Sequence, residues 1–139
     1  MGARRLGRER ALQALFQIDL AGIDPEEALE YAWRSDEAEN PDQDSLKFAR
    51  DLVLGVDAKR LALDQEIDLN SHNWRVERMA RVDRNVLRLA VFELLHRDDV
   101  PKRVVLNEAI ELAKTYGSED SSAFVNGILD RIAQGVARE

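Results

Sequence analysis

The segment from Arg84 to His96 constrains the fold most. It carries Val86, Leu87, Leu89, Ala90, Val91, Phe92, Leu94 and Leu95, which leaves it apolar nearly all round. A helix of that kind belongs in the centre of a bundle, because each of its faces has to be covered. Other helices must therefore surround it.

The rest of the chain supplies them. Ala11, Ala14, Leu15 and Ile18 share one face at helical spacing, which predicts a first helix from about Arg5 to Ala21, closed by Gly22. Asp24 then has the character of an N-cap, with Pro25 at the first helical position and Glu26 and Glu27 in the first turn. This short helix carries Ala28, Leu29, Ala32 and Trp33. The polar stretch Ser35 to Gln43, with Pro41, reads as a loop. A long helical region follows, with Leu46, Ala49, Leu52, Val53 and Val56 as its stripe, continuing with a kink near Gly55 towards Leu69. Asn70 to Asn73 break the chain, and Trp74, Met79 and Val82 lead into the central segment. After a second break at Asp98 to Pro101, a helix runs from about Lys102 to Tyr116 and closes at Gly117, expected as a C′ glycine. Ser118 or Asp120 caps a last helix bearing Phe124, Val125, Ile128, Leu129 and Ile132, which ends near Gly135. No alternating strand pattern of useful length and no internal repeat occurs. The expectation is an all-α chain of six to seven helices with short connections.

A length of 139 residues favours one domain over residues 1–139. A chain of that size buries roughly two-thirds of its unfolded surface without staples. The absence of cysteine removes disulfides, thiolate catalysis and cysteine-bound metals, and it fits a reducing compartment. No apolar run approaches the roughly 20 residues that span a bilayer, and no apolar stretch of signal-peptide type follows the charged N-terminus. A cytoplasmic protein with no membrane partner is expected.

Motifs for catalysis are missing. There is no Gly-rich phosphate loop, and His72 and His96, the two histidines, fall in no short metal-binding spacing. Carboxylates alternate with basic residues, as on solvated helix faces. No catalytic residue, no metal ligand and no cofactor is assigned, and the chain is read as a non-enzyme.

Charge distribution says more than its sum. The net charge is -7, yet the first ten residues hold Arg4, Arg5, Arg8 and Arg10 against Glu9. That segment is +3 and the remainder is therefore -10. Arg4 and Arg8 lie in line with Ala11, Leu15 and Ile18, so the core face turns cationic at its start. Burying unpaired guanidinium groups is costly. The first two turns are thus expected to project past the core, or to stay unfolded until something anionic arrives. Arg5 lies beside Leu12 and Phe16, an aromatic placed to stack a base. A solvated, frayed terminus remains the plainer reading.

A second series, Arg75, Arg78, Arg81, Arg84 and Arg88, walks round the helix instead of holding one face. Pairing with Glu77 and Asp83 accounts for the first three. Arg88 sits inside the most apolar helix and needs a partner or an exposed edge. Asn107, Asn126 and Gly127 are poor residues for helix interiors, and the preferred reading is packing: close helix approach at the glycine and hydrogen bonds across helices from the asparagines.

Three blocks in order, ARRLGRERALQALFQIDL, VDRNVLRLAVFELLHRDDVP and VVLNEAIELAKTYGSEDSSAFVNGILDRIA, resemble the NusB family, with the weakest similarity between about Asp24 and Asn73. The resemblance implies the compact NusB-type helical fold made of two small bundles. It implies binding of boxA, a short single-stranded element in the leaders of ribosomal RNA operons, together with NusE, which is also a small-subunit ribosomal protein. The pair joins other Nus factors on RNA polymerase and suppresses premature termination, without catalysis. By position, Arg4, Arg5 and Arg8 match the family's RNA-binding first helix, and Arg10 lies just beyond that pattern. Arg88 and Phe124 match the RNA face. Phe16, Glu77, Asp83 and Asp120 match the NusE side or the border between the two faces. Leu6 and Gly7 depart from a more densely basic pattern, and Gly7 suggests an arm that orders on binding.

Two alternatives stay open: a NusB-like module of a ribosomal RNA methyltransferase, for which a chain ending at Glu139 leaves no room, and a protein-only helical adaptor whose arginines touch no RNA. Either a monomer or a homodimer is compatible with the sequence, and a dimer covering the arginines would store inactive protein.

Overall fold

The computed structural model describes residues 2–34 and 42–138. Among these, six α-helices and one short 3-10 turn occur, and no strand. They are α1 (Ala3–Ala21), α2 (Pro25–Arg34), α3 (Gln43–Asn70), the turn Val76–Arg78, α4 (Arg81–His96), α5 (Lys102–Tyr116) and α6 (Ser121–Gln134). The contacts divide the chain into two compact units, Met1–Ala58 and Lys59–Glu139, and the boundary falls inside α3. That helix continues through Gly55 without a break. Of the expected loop from Ser35 to Gln43, residues 35–41 lie outside the described residues, and Gln43 already begins α3.

In the first unit α1 packs on α2. Ala11, Ala14, Ala28 and Ala32 are all buried, so short side chains let the two helices approach. Gly22 ends α1 in the left-handed region (φ 66°), its N–H donating to Ile18 O at 2.8 Å. Asp24 caps α2 as expected, with Oδ2 accepting from the Glu26 N–H at 3.0 Å. Asp42 does the same for α3, its Oδ1 accepting from the Ser45 N–H at 2.7 Å. That backbone donor holds the Asp42 carboxyl below its usual range.

In the second unit α4 is central, packed on both α5 and α6, which pack on each other. It is buried continuously from Asn85 to Leu94. The open carbonyls at its end find a cation, as helix C-termini favour. Arg138 Nη2 donates to Glu93 O at 2.8 Å and to Arg97 O at 2.9 Å, and Nη1 donates to Leu94 O. Lys102 does likewise for α6, its Nζ donating to Ala133 O and Val136 O, both at 2.9 Å.

Three local expectations are corrected. Gly117 is extended (φ -95°) and not left-handed; it is glycine because a Cβ there would lie 2.6 Å from Ser121 Cβ and 2.7 Å from Ala113 O. Neither Ser118 nor Asp120 caps α6 through its side chain. Asp120 occupies the cap position without such a bond, and Ser121 Oγ accepts from the Ser118 N–H at 2.9 Å. Gly127 admits no close neighbour, since a Cβ there meets nothing within 4 Å, and Asn107 and Asn126 are exposed along an open cleft between α5 and α6.

Candidate functional site

The N-terminal arginines are part of a folded helix, contrary to the expectation of a projecting or unfolded arm. α1 begins at Ala3, and Arg8 and Arg10 are only 3% and 8% exposed. Aromatic faces, which attract cations, contribute to making this burial tolerable. The guanidinium carbons of Arg4 and Arg8 lie 4.9 and 5.1 Å from the centre of the Phe48 ring. Arg10 lies 5.6 Å from the Trp33 ring, and its Nη1 donates to Gln13 Oε1 at 3.2 Å. Gly7 makes the Phe48 arrangement possible. A Cβ at position 7 would lie 3.0 Å from Phe48 Cδ2 and 3.2 Å from Ser45 O. Glycine here is a notch for α3, not a weak first turn. Arg4 and Arg5 remain exposed at the start of α1. Phe16, expected to be the aromatic beside the arginines, is half-buried on α1. The aromatic under Arg4 and Arg8 is Phe48, and no local pattern reveals it, because it arrives from a helix some forty residues away.

The second unit contains a cleft of about 240 Å³ lined by Trp74, Arg78, Met79, Asp83, Asp120 and Phe124. It brings together three expected site residues, Asp83, Asp120 and Phe124. Phe124 is half-buried and Asp120 exposed. Asp83 Oδ1 is buried and makes no hydrogen bond. Trp74 and Arg78, both exposed, were not expected in a site; an indole inside the polar run Asn-Ser-His-Asn-Trp-Arg is the signal for it. Two expected residues fall elsewhere in this unit. Glu77 is exposed and pairs with Arg75 at 3.4 Å. Arg88, expected at the RNA face, is buried inside the unit and bound to Asp64.

An all-helical chain with an arginine cluster seated on an aromatic ring and a separate aromatic cleft is now in view, and comparison with known proteins gives it a family. The model of the NusB family matches residues 5–134. The chain belongs to the NusB family. It is 59% identical over 134 residues to transcription antitermination protein NusB of Myxococcus xanthus, covering 96% of each chain. It is 56% identical over 133 residues to the protein of that name from Anaeromyxobacter dehalogenans, covering 96% of this chain and 92% of that one. Among solved structures, T. maritima NusB superposes with a TM-score of 0.87 at 40% identity, covering 99% of this chain and 94% of that one. The antitermination factors NusB and NusE in complex with dsRNA give a TM-score of 0.86 at 28% identity, covering 96% and 98%. The all-α NusB-type fold inferred from the sequence is the fold observed. No helix of the described residues is long and apolar enough to cross a membrane.

Proposed function

We propose that this NusB-family protein is a cytoplasmic transcription antitermination factor. It binds boxA-type single-stranded leader RNA of ribosomal RNA operons together with NusE, and the pair, with other Nus factors on RNA polymerase, suppresses premature termination. It does this by binding alone, without catalysis. The observation that carries the reading is family membership at 59% identity to a transcription antitermination protein; a solved relative in which NusB, NusE and RNA are held together supports its partners.

The chemistry of the two units is compatible with this role. Phosphates need cations, and Arg4, Arg5, Arg8 and Arg10 gather them at the start of α1. Unstacked bases need aromatic faces, and Phe124 offers one. Phe16 and Glu77 serve the NusE side, with Asp83 and Asp120 at the border between protein and RNA. Arg88 contributes from within, by fixing the helix that carries Asp83. The acidic remainder of the chain repels RNA, so binding is weak alone and strengthened by NusE.

Fluorescence anisotropy of a labelled boxA RNA, beside a scrambled RNA, with and without NusE and at two salt concentrations, tests the reading. Preference for boxA that NusE strengthens and salt weakens is expected. No binding to either RNA with NusE present would leave a protein-only adaptor.

A further inference from the structure

We propose that the cleft of the second unit takes one unpaired RNA base bearing an amino group, and that Trp74 is the surface on which that base stacks. The proposal rests on the RNA-binding reading above and adds to it a residue and a base chemistry.

The first observation is the presentation of the indole. Trp74 is 56% exposed, yet its backbone is anchored. Its N–H donates to Ser71 O at 3.1 Å, and its carbonyl accepts from the Ser71 hydroxyl. Two residues on, the Val76 N–H donates to Asp68 Oδ1 at 2.8 Å. An aromatic plane held outward by a fixed turn is a stacking platform, and little ordering entropy opposes its use.

The second observation is the space beside it. The cleft of about 240 Å³ also holds Phe124 and Met79. That is room for a single heterocycle.

The third is the polar lining, which selects a base over a phosphate. Asp83 and Asp120 stand against Arg78, so acidic groups outnumber basic ones and a phosphate is repelled. Carboxylates accept hydrogen bonds, and the cleft is lined by the exposed Asp120 and the half-buried Asp83. Adenine, cytosine and guanine present exocyclic amino donors, whereas uracil presents carbonyl oxygens and a single imino N–H. With two carboxylates against the one guanidinium of Arg78, the lining therefore favours bases with an amino group over uracil.

The test uses the full chain labelled with 5-fluorotryptophan. The chain has two tryptophans, and the Trp74 resonance is the one lost in Trp74→Phe. A boxA RNA is titrated in with and without unlabelled NusE, while anisotropy follows the RNA in parallel. The Trp74 signal is expected to shift in step with RNA binding. Trp74→Ala is expected to lower RNA affinity roughly tenfold with no change in melting temperature, and Trp74→Phe to recover most of it. An RNA with uracil in place of its amino-bearing bases should bind the parent more weakly. RNA binding that leaves the Trp74 signal and the affinity of Trp74→Ala unchanged overturns the proposal and spares the RNA-binding reading. A Trp74 signal that responds to NusE but not to RNA assigns the cleft to protein and overturns it too. Absence of any RNA binding with NusE present removes both readings.

Discussion

Asp64 on α3 and Arg88 on α4 meet in a two-pronged ion pair, with Nε donating to Oδ1 at 2.7 Å and Nη2 to Oδ2 at 3.0 Å. The arginine side chain is 4% exposed and the aspartate 25%. Asn85 completes the cluster: its Oδ1 accepts from Arg88 Nη1 at 3.2 Å, and its Nδ2 donates to Arg81 O at 2.8 Å. A guanidinium on α4, which is buried continuously from Asn85 to Leu94, is thereby satisfied inside the second unit. The pairing also fixes the register of α4 on the latter part of α3.

Removing the carboxylate should therefore be expensive. Asp64→Ala takes away the two-pronged acceptor of a buried cation, and a loss of about 3 kcal/mol in urea unfolding is expected. Arg88→Lys should not rescue function or stability, because an ammonium cannot make the planar fork. Joint replacement by Asp64→Leu and Arg88→Met removes both charges at similar volume and should recover most of the loss. A double variant as unstable as Asp64→Ala would show that the pair is not what holds the two helices in register.

Two glycines in helices should respond to alanine with opposite signs. Gly127 lies within α6 with nothing inside 4 Å of an added Cβ, so Gly127→Ala should stabilise by about 1 kcal/mol through helix propensity alone. At Gly7 the same gain meets Phe48 Cδ2 at 3.0 Å and backbone Ser45 O at 3.2 Å. Overpacking of that kind costs about 1–3 kcal/mol, so Gly7→Ala should lower the melting temperature. Thermal melting of the two variants beside the parent decides it, and stabilisation at position 7 would mean that α3 moves away freely.

These residues also mark how far the sequence could be read. Apolar periodicity placed each of the six helices, and the capping chemistry of Asp24 and the closing role of Gly22 were legible because both act within a few residues. Long-range contacts were not legible. Nothing local tells that Gly7 faces Phe48, that Asp64 awaits Arg88, or that Arg138 closes the end of α4. The same limit explains the misjudged arm. Arginines on a core face look unburiable until aromatic rings from other helices supply faces for them. At the candidate site, Asp83, Asp120 and Phe124 were named from the resemblance, whereas Trp74 had to be seen in the cleft they share.

Stability should fall with acid through His96. Its ring is exposed, and its pKa is lowered from 6.5 first by partial desolvation beside Phe92, 5.4 Å away between ring centres, then by Lys59, with Asp98 opposing. In the unfolded chain the imidazole takes its proton at the ordinary pKa, while the folded protein resists. The unfolded state thus binds more protons below pH 6.5, and stability declines as pH drops from there to the lowered folded value, then levels. Urea unfolding across about pH 7.5 to 5 should show a decline that His96→Gln makes shallower. An identical decline in that variant would assign it to carboxylates.

The arginines of α1 should separate by exposure. Arg4 and Arg5 are exposed, whereas Arg8 is 3% exposed over the Phe48 ring. If four N-terminal arginines neutralise phosphates of a single strand, log K falls against log salt with a slope of about -3. Arg4→Gln with Arg5→Gln should weaken boxA binding and reduce that slope by about 1.4, roughly 0.7 for each lost contact, while lowering the melting temperature less than loss of the buried Arg8 does. Arg8→Gln should lower both affinity and melting temperature, because it also removes a cation from a buried aromatic face. Anisotropy titrations at several salt concentrations and a thermal melt of each variant separate the two effects. A double variant that binds with the parent's slope would show that the exposed pair touches no phosphate, and would leave the contact to the buried arginines alone.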